Sequence, residues 1–281
     1  MLKLHTQIDE NSGFCFGVVS AIEKVEKALA ENTEVICVGE IVHNEQEVSR
    51  LLEKGLKTIH QNEIQKISKS VIFFRAHGEP PESYQTAMKN ENIIIDATCP
   101  IVAKLQQRVK QAYENKEAIM LFGKKNHPEI IGIIGQINNQ AMIVESVQDI
   151  EFEKLPGEIT IFSQTTQSPD KLHEIVNFMK ENGIKVKIHN TTCSQVNGRT
   201  QKLKEFCRKF DQILFVAGHN SSNGKVLYSV CKENNSKVHF IACVEEIQKD
   251  WFKEKERIGI CGATSTPLWL MQKVEEKLKS F

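Results

Sequence analysis

Short apolar runs rich in valine, isoleucine and phenylalanine recur along the chain at Val35–Val38, Val71–Phe74, Ile93–Ile95, Ala118–Phe122, Ile159–Phe162, Ile213–Val216, Val238–Ile241 and Ile258–Ile260. They are strand-sized and do not alternate with polar positions, as expected of strands buried on both faces of a parallel sheet. Helical periodicity fills the gaps. Val18, Ile22, Val25 and Leu29 make one apolar face; Ile101, Leu105 and Val109 make a second; Leu203, Phe206, Cys207 and Phe210 make a third. Strands alternating with helices predict α/β architecture.

The pattern repeats. Three segments place a cysteine directly before a helical stretch: Gly13-Phe-Cys15-Phe-Gly17, Asp96-Ala-Thr-Cys99-Pro100 and Thr191-Thr-Cys193-Ser194. Each helix leads to a strand that ends near a histidine, with 28 residues from Cys15 to His43, 28 from Cys99 to His127 and 26 from Cys193 to His219. A further strand then ends in a polar loop: Arg75-Ala-His77-Gly78, Ser163-Gln-Thr165-Thr166 or Ala263-Thr-Ser265-Thr266. The period is domain-sized, so three small α/β lobes are expected at residues 1–98, 99–192 and 193–281. The N-terminal strand is a candidate to join the third lobe. Ligands of open parallel sheets bind beyond the carboxyl ends of the strands. Every cysteine, histidine and hydroxyl loop of the repeat lies there.

Composition narrows the function. Lysine plus arginine and aspartate plus glutamate both number 36, which argues against a broad nucleic-acid surface. No apolar run approaches membrane-spanning length, and Met1–Glu10 lacks the apolar core of a signal peptide. A cytoplasmic protein without a membrane partner is therefore expected. In that compartment eight cysteines point to thiols, metal ligands or redox groups more than to disulfides. Cys37, Cys207, Cys231, Cys243 and Cys261 lie in strand or helix patterns or directly after one, and read as packing.

A lone cysteine before a helix is usually a buried small side chain. Three in matched positions of a repeat are better read as ligands, because a helix N-terminus favours thiolate. Zinc sites usually show close cysteine pairs, which are absent here. Three dispersed thiolates better suit an iron–sulfur cluster, and the missing fourth leaves one iron open to substrate. His43, His77 and His127, with Ser221, Ser222, Asn223 and Ser265, form a donor set of the kind that binds phosphate or diphosphate. Glu129, in His127-Pro128-Glu129, is a candidate proton donor. No Gly-x-Gly-x-x-Gly or Walker loop is present, so a nucleotide cofactor is unsupported. A zinc hydrolase would explain the polar ring but not the cysteine spacing; a redox sensor or electron carrier would explain the cysteines but not the ring.

The motifs Phe14-Cys15-Phe16-Gly17-Val18, Val42-His43-Asn44, Ala76-His77-Gly78, Asp96-Ala-Thr-Cys99-Pro100, His127-Pro128-Glu129, Gln164-Thr165-Thr166 and Asn220-Ser221-Ser222-Asn223, with the Ser265 loop, come in this order along nearly the whole chain. In this the chain resembles the 4-hydroxy-3-methylbut-2-enyl diphosphate reductase family of the non-mevalonate isoprenoid pathway. The resemblance implies a three-lobed α/β fold around one 4Fe–4S cluster held by Cys15, Cys99 and Cys193. It implies diphosphate binding by His43, His77, His127, Ser221, Ser222, Asn223 and Ser265. Thr165 would lie near the substrate alcohol, Glu129 would supply protons, and a ferredoxin- or flavodoxin-type protein would supply electrons. One departure is visible: Val196 stands where the family often carries a hydroxyl.

Overall fold

In the computed structural model, residues 2–32 and 34–281 are described, the side chains at 154 and 195–197 excepted. Along the chain run β1 (His5–Ile8), α1 (Phe16–Glu31), β2 (Val35–Val38), α2 (Glu45–Glu53), β3 (Leu56–Ile59), β4 (Val71–Phe74), α3 (Pro81–Lys89), β5 (Ile93–Asp96), α4 (Pro100–Glu114), β6 (Ile119–Phe122) and α5 (Pro128–Ile134). There follow β7 (Met142–Val144), β8 (Glu158–Ser163), α6 (Pro169–Glu181), β9 (Lys185–His189), α7 (Ser194–Cys207), β10 (Gln212–Val216), α8 (Ser222–Asn234), β11 (Val238–Ile241), β12 (Arg257–Gly262) and α9 (Leu268–Lys279). Among the described residues no helix is long and apolar enough to cross a membrane.

The chain divides into two compact units. The first holds Met1–Ile22, Glu40–Leu56 and Gly198–Phe281; the second holds Glu23–Gly39 and Lys57–Asn197. The sheet of the first unit has the order β1-β12-β10-β11, all pairs parallel. The second unit carries the sheets β3-β2-β4-β5 and β7-β6-β8-β9, in which β2–β4, β4–β5, β6–β7, β6–β8 and β8–β9 are parallel. The three orders are one plan. In each, the chain passes from a central strand to one neighbour, then crosses to the other side. The N-terminal β1 occupies beside β12 the place that β5 occupies beside β4 and β9 beside β8.

All eight apolar runs are strands, and six of them, β2, β4, β6, β8, β10 and β12, are the central ones. The pleat sends alternate residues to opposite faces. Leu214, Val216, Ile258 and Ile260 enter one core with Met271 and Val274 of α9, while Ile213, Phe215 and Cys261 enter another with Leu203, Phe206 and Leu227. Each such side chain contributes about 1.5–3 kcal/mol on burial. The strands not marked by an apolar run, β1, β3, β7 and β9, are all at sheet edges. Edge strands are half solvated, and β9, Lys-Val-Lys-Ile-His, is mostly exposed.

One feature departs from the helical reading. On α4 the buried face is Val102, Leu105, Val109 and Ala112, whereas Ile101 is 37% exposed and lies outside the core. The Gly132-Ile-Ile-Gly135 stretch is a close-packing seam within the second unit. A Cβ at Gly132 would lie 2.8 Å from the Gly78 carbonyl oxygen, and one at Gly135 would lie 2.5 Å from the Pro80 Cβ. Only glycine lets α5 approach the loop after β4 this closely.

Candidate active site

Each sheet reverses its strand order between two central strands, β2/β4, β6/β8 and β10/β12. In open α/β sheets the crevice beyond that reversal is where ligands bind. The loops leaving these six strands carry His43, His77, His127, Thr165, Ser221–Asn223 and Ser265. The physical reason is general: at a reversal the two connections leave toward opposite faces, so a gap opens at the strand ends.

The three cysteines are held in one manner. The Cys15 N–H donates to the Thr264 carbonyl at 3.3 Å, the Cys99 N–H to the Ala76 carbonyl at 3.0 Å, and the Cys193 N–H to the Thr165 carbonyl at 2.7 Å. Each acceptor belongs to the polar loop that follows β12, β4 or β8. Each cysteine is also preceded by a side-chain turn: Asp9 accepts from the Asn11 N–H at 3.2 Å, Asp96 from the Thr98 N–H at 2.8 Å, and Asn190 from the Thr192 N–H at 3.2 Å. Pro100 begins α4 directly after Cys99, and Ser194 begins α7 directly after Cys193. Arg199 adds a fork to the first cysteine loop, donating to the Gly13 carbonyl and, at 3.2 Å, to the Phe14 carbonyl. The sequence reading missed this arginine. The turn-forming Asp96 and Asn190, each three residues before a cysteine, were a legible signal that it did not use. The side chain of Val196 lies outside the described residues.

In the second unit, His127 caps α5. Its Nδ1 accepts the Glu129 N–H at 3.1 Å, so in the neutral ring the proton sits on Nε2. The His77 and His127 rings stand edge to face with centroids 5.4 Å apart. Glu129 is 2% exposed. Its carboxylate accepts the Thr165 N–H at 2.7 Å and the Thr165 hydroxyl at 2.8 Å. Burial pushes its pKa up to about 7, against the two Thr165 hydrogen bonds, which pull it down. Near neutral pH such a group both holds and releases a proton, as a general acid requires. Gln164, 1% exposed, braces the same loop by accepting the Lys124 N–H at 3.1 Å.

In the first unit, Ser221 caps α8 by accepting the Gly224 N–H at 3.0 Å, and its hydroxyl lies 3.2 Å from that of Ser265. The Ser265 hydroxyl donates to the His43 carbonyl at 3.3 Å, and the Asn223 amide donates to the Thr264 hydroxyl at 2.8 Å. A Cβ at Gly218 would meet the His43 carbonyl oxygen at 2.6 Å, so this glycine also permits a close approach. Thus Ser221, Ser265 and the His43 carbonyl form one hydrogen-bonded group, and Asn223 with Thr264, the chain neighbour of Ser265, forms a second. His219, the third histidine of the repeat, instead pairs with Glu246 at 3.2 Å on the surface.

Among the described residues one trio of thiols lies within 4.8 Å of one another, and it is Cys207, Cys231 and Cys261. These are three of the five cysteines read as packing. They sit fully buried in the apolar core between α7, α8, β10 and β12, and burial raises the pKa of Cys261.

The LytB protein family model matches residues 7–279. The chain belongs to the LytB family. Among its relatives, the Bacteroides thetaiotaomicron protein named 4-hydroxy-3-methylbut-2-enyl diphosphate reductase is 43% identical over 99% of this chain and 98% of its own length. A Chloroherpeton thalassium protein of the same name is 39% identical over 99% and 97%. Two solved structures are similar as well. One is described as (E)-4-hydroxy-3-methyl-but-2-enyl diphosphate reductase, the terminal enzyme of the non-mevalonate pathway; it has a TM-score of 0.76 and 33% identity, with full coverage of both chains. The other, a reductase from Plasmodium falciparum, has a TM-score of 0.85 and 30% identity over 99% of this chain and 88% of its own. The LytB fold thus extends over all three sheets.

Proposed function

We infer that this LytB-family chain catalyses the reductive dehydroxylation of 4-hydroxy-3-methylbut-2-enyl diphosphate to isopentenyl and dimethylallyl diphosphate. The observation that carries the reading is Glu129, a buried carboxyl bound twice by Thr165 and one residue removed from the His127 cap. Neither an electron carrier nor a redox sensor needs such a proton donor. The residues fit an iron–sulfur cofactor. Cys15, Cys99 and Cys193 have their backbones held by equivalent loop carbonyls, and Cys99 and Cys193 follow matched turns at Asp96 and Asn190. These three would ligate one 4Fe–4S cluster, which when bound supplies electrons and a Lewis-acidic iron.

The protein's own groups divide the remaining work. The His127 Nε2–H, His77 and His43, with Ser221, Ser222, Asn223 and Ser265, bind and orient the diphosphate through donors. The Thr165 hydroxyl bridges the substrate alcohol to Glu129. Glu129 delivers a proton to the departing hydroxyl, which leaves as water, and the allylic product takes a second proton at either end. Two electrons and two protons balance the loss of water. A ferredoxin- or flavodoxin-type protein is the proposed electron source. Residues 1–98, 99–192 and 193–281 are the proposed lobes, with β1 counted in the third because it pairs with β12.

The test is anaerobic turnover of the diphosphate alcohol with chemically reduced viologen. Formation of both isopentenyl isomers is expected. Brown, iron- and sulfide-containing protein that leaves the substrate unchanged would refute the reading in favour of a carrier or sensor.

A further inference from the structure

A groove of about 410 Å³ lies within the second unit, between the first turns of α4 and the segment Asn190–Ser194. Cys193 lines it, and so does Pro100, the residue next to Cys99. Its outer wall carries Lys104 and Arg108 one helical turn apart on α4, both exposed and neither ion-paired among the described residues. Beside them is Ile101, the apolar side chain that α4 leaves out of the core. Lys187 stands nearby on β9, with its charge taken up by Glu117 at 2.9 Å.

We propose that this groove is the docking surface for a small acidic one-electron carrier protein. The proposal rests on the reductase reading. That reaction removes a hydroxyl as water and consumes two electrons and two protons, while the chain carries no nucleotide-binding fingerprint through which to take hydride. The electrons must arrive in two successive deliveries from outside, each oxidising one carrier by one electron. A carrier seated on Lys104 and Arg108 covers the groove that Cys193 lines, and Ile101 supplies a small apolar centre beside the charged pair. Electron-transfer encounters have this character: small, electrostatically guided and quickly reversed.

The experiment uses the cluster-loaded protein, an acidic flavodoxin as probe, and the charge-reversal variant Lys104→Glu/Arg108→Glu. With reduced flavodoxin, the variant is expected to raise KM for the carrier at least tenfold. The wild-type KM should rise with ionic strength, while that of the variant, whose reversed charges repel the acidic carrier, should fall. With reduced viologen, which needs no docking site, the variant should turn over at the wild-type rate. An unchanged flavodoxin KM, or an equal loss with both reductants, overturns the proposal. If wild-type protein with viologen does not reduce the substrate, the reductase reading fails on its own. The carrier Kd, measured by titration without substrate, then still decides: at least tenfold weakening in the variant supports the surface, and no binding to wild type removes it.

Discussion

Replacing Glu129 by glutamine changes one atom of a buried group and leaves its shape. The amide oxygen can still accept the Thr165 N–H, which now sits 2.7 Å from Oε1, and the amide N–H can donate to the Thr165 hydroxyl oxygen. What disappears is the titration. Burial lifts Glu129 from 4.5 to about 7, so the folded protein keeps this proton over a range in which the unfolded chain has lost it. The sign follows from proton counting. Below about pH 4.5 both states are protonated and the stabilising contribution is fully present. As pH rises the unfolded chain ionises first, and the contribution is lost up to about pH 7. At about 1.4 kcal/mol per unit, the wild type should lose about 3 kcal/mol relative to Glu129→Gln between pH 4 and pH 8. Anaerobic urea unfolding of both proteins at the two pH values gives the difference directly. Turnover supplies a second readout. Loss of a general acid costs about 10²–10⁴ in rate, and wild-type turnover should decline above about pH 7 as Glu129 ionises. A stability difference that stays constant from pH 4 to pH 8, together with near-normal turnover of the glutamine variant, would remove Glu129 from the mechanism.

Thr165→Val removes the 2.8 Å hydroxyl donor and leaves Glu129 Oε2 without it. About 1–3 kcal/mol of stability should be lost, and the alkaline limb of the pH–rate profile should move upward because a hydrogen bond that lowered the carboxyl pKa is gone. Gly132→Ala forces a Cβ against the Gly78 carbonyl; a cost of about 1–3 kcal/mol in thermal or urea unfolding is expected, with weaker substrate binding because the His77 and His127 loops are pushed apart. Cys99→Ser should leave a folded protein with little bound iron or sulfide, and a full complement by metal analysis would refute its assignment as a ligand. Cys231→Ala, in the buried trio of thiols, should by contrast keep its iron and lose only about 1–2 kcal/mol of packing.

The central strands were legible because a strand buried on both faces must be apolar throughout, and β2, β4, β6, β8, β10 and β12 are. Of the edge strands only β5 and β11 showed; β1, β3 and β9 are polar or carry lysine, and β7, Met-Ile-Val, is apolar but only three residues long. The helical period on α4 included Ile101 in the buried face, but packing against β6 and β8 rotated the core toward Val102. Cys15, Cys99 and Cys193 stood out as matched positions because their offsets repeat, a property of sequence order alone.

Order along the chain therefore determined the α/β class, the threefold plan and the family resemblance, since each depends on residue type and spacing. Tertiary structure decided what spacing cannot encode. It brought Glu129 onto Thr165, 36 positions away, buried the pair and so brought the carboxyl near neutrality. It set each cysteine against a loop from a neighbouring strand, and it gathered Cys207, Cys231 and Cys261 in one core although nothing in their spacing relates them. Proton affinity and close approach depend on distance and on excluded water, and both exist only once the sheets are formed.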